Sequence, residues 1–79
     1  MRRDHVAIAF GEVLREARKE RGLSQEELAG DAGYDRTYPS LLERGLRTPT
    51  LTVLLDLARV LRVDPARMVI ETLERTRRL

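Results

Sequence analysis

The chain has no cysteine and no tryptophan, a single phenylalanine, two tyrosines, one histidine and one lysine, Lys19. Without cysteine neither a disulfide framework nor a thiolate metal centre can form, so 79 residues must be held together by packing or by a partner subunit. His5, the lone histidine, has no thiol partner and no ligand cluster, so neither a triad nor a metal site can be assembled, and an enzyme or a cofactor is not expected. No uninterrupted apolar run approaches the ~20 residues of a bilayer span, which argues against a membrane protein. The first residues, MRRDHVAIAF, carry two arginines, but Asp4 and the amphipathic continuation argue against a secretory signal; a cytoplasmic protein is expected.

What is present fits one globular domain over residues 1–79, with 42% hydrophobic and 35% charged residues. Net charge is only +2 although the pI is about 9.7, and the basic residues are almost all arginine. Arginine suits bidentate contact with phosphate and guanine, but an arginine-rich composition equally reflects genomic base content. Position on the fold therefore decides whether the charge is functional.

The stretch Ser24–Gly45, SQEELAGDAGYDRTYPSLLERG, organises the chain. Ser24 with Glu27 forms a capping box, and Leu23 can close over Leu28 as a hydrophobic staple, which fixes a helix start. Leu28, Ala29 and Ala32 supply a narrow apolar face, and Gly33 stops the helix. A second helix begins near Asp35, carries Leu41 and Leu42, and stops at Gly45. Two helices joined by a short glycine-containing turn are the helix-turn-helix signature, whose second helix enters the DNA major groove.

Around this unit the sequence predicts three more helices and no strand. From Asp4 to Arg21, Val6, Phe10, Val13, Leu14 and Ala17 recur at helical spacing, and Gly22 ends the run. Thr50 caps a fourth helix to Leu61, whose face of Leu51, Leu54, Leu55, Ala58 and Leu61 is expected to form the centre of the core. Asp64 and Pro65 start a fifth, with Val63 and Met68 as a second staple; Arg75, Arg77 and Arg78 are expected to fray.

The words LSQEELA, AGYDRTY and LERGLRTPTL, in that order between about Phe10 and Val69, resemble the lambda-repressor-like, or XRE/Cro, helix-turn-helix family of bacterial and phage regulators. The short length and the DRTY run look, within it, like the controller proteins of restriction-modification systems. The resemblance implies an all-α fold of five helices, a double-stranded DNA operator as partner and pairing of two subunits, with RNA polymerase a further candidate partner at a promoter. It puts base contacts at Arg36, Thr37, Tyr38 and Ser40, with Leu41 further along, and phosphate contacts at Gln25, Arg44, Arg47, Thr48 and Thr50. Each has a plainer reading: a solvated Arg36, Arg44 or Arg47, a capping Thr37 or Thr50, an inward Tyr38. Tyr34 reads as a core staple. Arg18 and Glu43 fall at positions that pair across the first and third helices.

Pro39 departs from the family pattern, which has an aliphatic residue there. With Asp35 as N-cap it would delete the first helical hydrogen bond, so a later start near Tyr38 or Pro39 is expected, with Arg36 and Thr37 in an irregular turn. Val69, Ile70 and Leu73 give the fifth helix more apolar surface than one side buries, which predicts a homodimer interface there. A protein-interaction module or antitoxin of the same fold is the alternative function.

Overall fold

The computed structural model describes residues 4–79; the two arginines of the N-terminus lie outside them. Among the described residues the chain forms five helices: α1 His5–Arg21, α2 Gln25–Ala32, α3 Thr37–Glu43, α4 Leu51–Leu61 and α5 Pro65–Thr76. None is long and apolar enough to cross a membrane.

The starts follow from local chemistry. Asp4, Ser24, Thr50 and Asp64 each accept a backbone N–H of the first turn, and Pro65 sits at the first position of α5 where its missing N–H costs nothing. Both halves of the capping box form, with Ser24 N donating to Glu27 Oε1 at 2.9 Å and Glu27 N donating to Ser24 Oγ at 3.0 Å. The ends share one device. At the exits of α1 to α4 a left-handed residue donates to the carbonyl three back and its successor to the carbonyl five back. Three of these residues are Gly22, Gly33 and Gly45; the fourth is Arg62, at φ 58°, the one non-glycine residue with positive φ among those described.

α3 begins at Thr37, two residues after the expected Asp35 and one before the shifted start at Tyr38. Asp35 lies one residue outside the N-cap position, yet its carboxylate accepts both the backbone N–H (2.9 Å) and the hydroxyl (2.8 Å) of Thr37, while Tyr38 N donates to the Asp35 carbonyl. Pro39 is therefore the third helical residue, where an N–H would have no intrahelical partner. The roughly 3 kcal/mol cost of an interior proline does not arise. Its ring is fully buried and fills the core position.

The core gathers Phe10, Val13, Leu14, Leu28, Leu42, Leu57, Leu61 and Met68 with their smaller neighbours. Three expectations need correction. α1, rather than α4, makes the most extensive packing, lying against α3, α4 and α5. In α4 the buried face is Val53, Leu54, Leu57, Ala58 and Leu61, while Leu51 and Leu55 point outward. Nor is the end of α5 frayed at Arg75: its guanidinium reaches back to α1 and holds Glu16 through two bonds of 2.7 Å.

Candidate nucleic-acid interface

α2 and α3 meet at the Gly33 turn, and at the front of α3 Arg36 and Thr37 lie exposed while Tyr38 and Pro39 turn inward. Between the start of α2 and α3 lies an open cleft of about 340 Å³ lined by Gln25, Glu26, Arg36, Thr37, Ser40 and Arg44, with Leu41 on its wall. Arg36 and Thr37 are exposed and Ser40 is half-buried. Arg36 Nη1 lies 3.8 Å from Glu26 Oε2, with both side chains about three-quarters exposed. Such a pair contributes well under 1 kcal/mol, so the guanidinium is free to exchange it for another anion or a base edge.

Thr37 spends its hydroxyl proton on Asp35 and keeps its lone pairs and methyl available. The backbone N–H of Thr37, then its hydroxyl, hold the Asp35 carboxyl below the usual carboxylate range. Tyr38 does not join this outward group. Its ring lies 5.5 Å from that of Tyr34, tilted by 48°, and packs half-buried against the core. Tyr34 itself packs on the core as expected and donates its hydroxyl to Asp56 of α4 at 2.6 Å.

Beneath the cleft, Arg18 and Glu43 form the expected ion pair, at 2.6 Å with side chains only 12% and 3% exposed. Gln25 joins them: its Nε2 donates to Glu43 Oε1 at 3.1 Å, leaving its second N–H for an outside acceptor. Nothing in the spacing of these residues points to this third member. Of the remaining predicted phosphate ligands, Arg44 and Arg47 are exposed beside the exit of α3. Thr48 donates to Asp4 Oδ2 at 3.3 Å, and Thr50 accepts from Val53 N as the cap of α4. The free N–H groups at that helix start are the part of Thr50's surroundings able to receive an anion. Glu26 of the cleft and Gly11 behind the exit of α3 are absent from the residues expected here; the glycine in the middle of α1 is the one sequence signal for the second.

Residues 9–69 match the family model described as a helix-turn-helix domain. The chain is 44% identical over 55 residues to the uncharacterised HTH-type transcriptional regulator y4dJ of Sinorhizobium fredii, covering 70% of this chain and 71% of that protein. It is 33% identical over 63 residues to the control protein C.BamHI of Bacillus amyloliquefaciens, covering 78% of each. Among solved structures it is similar to the restriction-modification controller protein C.AhdI of Aeromonas hydrophila, with a TM-score of 0.76 and 44% identity over 78% of this chain and 94% of that one. The controller protein C.Esp1396I, solved as a tetramer with its natural 35 base-pair operator, has a TM-score of 0.78 and 28% identity over 90% of this chain and 93% of that one. With the family model spanning most of its length and a control protein 33% identical over 78% of each chain, the chain belongs to the helix-turn-helix family of transcriptional regulators and controller proteins.

Proposed function

We propose that the protein is a cytoplasmic, single-domain transcription regulator that binds a double-stranded operator as a homodimer and controls a restriction-modification operon. α3 enters the major groove, where Arg36 reads guanine O6 and N7 as a fork and Thr37 and Ser40 meet neighbouring base edges. Gln25, Arg44, Arg47 and the N-terminus of α4 face the flanking phosphates, which fix register without reading sequence. Tyr38, packed on Tyr34, steadies the first turn of α3 and offers at most its ring edge to the groove. RNA polymerase is the further partner such a regulator meets at its promoter. One observation carries this reading most: the exposed front of α3, Arg36 and Thr37, projects from a scaffold whose Arg18–Glu43–Gln25 network fixes the helix from behind.

Selection from random duplexes with the wild-type protein tests it. An enriched, two-fold symmetric sequence with half-sites about one turn apart, ~34 Å, is expected. On it Arg36→Ala loses roughly 30-fold or more while losing little on random DNA, since each of the two subunits gives up about 1–3 kcal/mol of base discrimination. Arg47→Ala weakens both alike and lowers the salt slope by about 2, one phosphate contact in each subunit. No enriched sequence, or equal losses from both substitutions on all DNA, overturns the assignment.

A further inference from the structure

At the exit of α3 the backbone of its last turn comes up against α1. Gly11 is buried in the middle of α1, and a Cβ built there would stand 2.5 Å from the carbonyl oxygen of Leu42 and 2.6 Å from that of Glu43. Only a hydrogen fits. One turn earlier the relation is mirrored: a Cβ on Gly45 would lie 3.0 Å from the Cα of Ile8. Two turns later Arg18 takes the Glu43 carboxylate. Residues 8, 11 and 18 share one face of α1, and that face follows the last turn of α3.

A glycine inside a helix is less favourable than alanine there, so position 11 gives up helix stability for this approach. Elsewhere in the core, side chains with several rotamers separate the helices and can shift. Here a Cβ would meet two backbone carbonyl oxygens, which have no flexible side-chain end to give way.

We infer that Gly11 is the positioning residue of the reading helix: its backbone contact with Leu42 and Glu43 sets how far α3 stands out from the scaffold. This rests on the role proposed above for α3. An added methyl must push the end of α3 away by about 1 Å, the gap between 2.5 Å and an ordinary contact of 3.4 Å. Glu43 moves with it, and so does Gln25, which hangs from the same carboxylate. Bidentate base contacts hold over only a few tenths of an ångström, whereas long arginines can follow a phosphate through such a shift. The glycine therefore governs discrimination more than general affinity.

The test compares Gly11→Ala with Leu61→Ala, which opens a cavity in α4, an element packed on α1, α2 and α5. Binding is measured where urea melts show each variant folded, on the wild-type-selected sequence and on random duplex. Gly11→Ala is expected to lose at least about tenfold in the ratio of the two affinities while keeping its random-DNA affinity and salt slope; Leu61→Ala keeps the wild-type ratio. Retention of that ratio by Gly11→Ala, or an equal loss in Leu61→Ala, overturns the inference. If Gly11→Ala is unfolded, the comparison moves to an Arg62→Gly background, which removes a strained backbone position elsewhere. Unfolding even there means that the glycine serves stability alone, which also overturns it. Failure of the wild type to enrich any sequence instead condemns the parent reading.

Discussion

Arg18 grips Glu43 through two parallel bonds, Nε to Oε2 at 2.6 Å and Nη2 to Oε1 at 3.0 Å, and its Nη1 donates to the Leu23 carbonyl at 2.8 Å. One buried guanidinium thus ties α1 to the end of α3 and to the turn before α2. A fork that satisfies both carboxylate oxygens offsets much of the desolvation of the two charges, but only while both are present. Arg18→Ala strands a carboxylate that is 3% exposed. The expected loss is about 3–5 kcal/mol, a large share of what holds a domain this size together. The double variant Arg18→Ala with Glu43→Ala should lose less than the sum of Arg18→Ala and Glu43→Ala. Urea melts across the cycle check this; additive losses would mean that the pair is not coupled.

Helix limits were legible because their causes are local: a capping box, an Asp-Pro start and glycine stops lie within four residues of what they control. The start of α3 was read less well, since the Asp35 carboxylate reaches an N–H two residues on and caps from outside the helix. α4 misled for another reason. LTVLLDLARVL is apolar on two faces, and only its neighbours decide that Val53 and Leu57 go inward rather than Leu51 and Leu55. The outward group on α3 and the Arg18–Glu43 pair came from the family resemblance, because their partners are up to 25 residues apart. Gln25 in that network had no sequence signal at all.

Acid should loosen the start of α2. The Ser24 backbone N–H, and after it the Ser24 hydroxyl, hold Glu27 below its ordinary pKa. A carboxylate depressed in the folded state adds stability that is fully present above its unfolded pKa, about 4.3, and is lost as pH falls through the lower folded value. Thermal midpoints between pH 7 and 3 should therefore drop more steeply below about pH 5 in the wild type than in Glu27→Gln, whose amide oxygen still accepts the Ser24 N–H but gains no proton. Parallel curves would remove the capping box as a source of the acid response.

Arg62 takes the place that glycine holds at the exits of α1, α2 and α3, with φ 58° and ψ 42°. A side chain with Cβ costs roughly 1–2 kcal/mol in that conformation, and glycine returns part of the gain as unfolded-state entropy. Arg62→Gly should stabilise by about 0.5–1 kcal/mol, raising the melting midpoint by several degrees in a domain of this length. Arg62→Ala keeps the Cβ and should give no such gain. A midpoint unchanged or lowered by glycine would show that the arginine side chain makes a compensating interaction.

The proposed homodimer is the last link between fold and the proposed function, because one short reading helix offers too few contacts to single out an operator. The predicted interface residues Val69, Ile70 and Leu73 are all at least half exposed. Val69 lines an apolar groove of about 270 Å³ shared with Val6, Phe10, Pro49, Leu51 and Leu54. Leu51, which the sequence placed in the core, is 72% exposed at the rim of this groove. An exposed leucine beside an exposed valine favours a second copy of the same surface, since a two-fold interface lets each patch cover its equivalent. Leu51→Asp and Val69→Asp should each convert a dimer to monomer in sedimentation experiments while leaving helical circular dichroism intact. Binding to the selected duplex should then require roughly the concentration at which the monomers are driven together. A variant that sediments as the wild type does would move the interface away from this groove, and with it the spacing expected between half-sites.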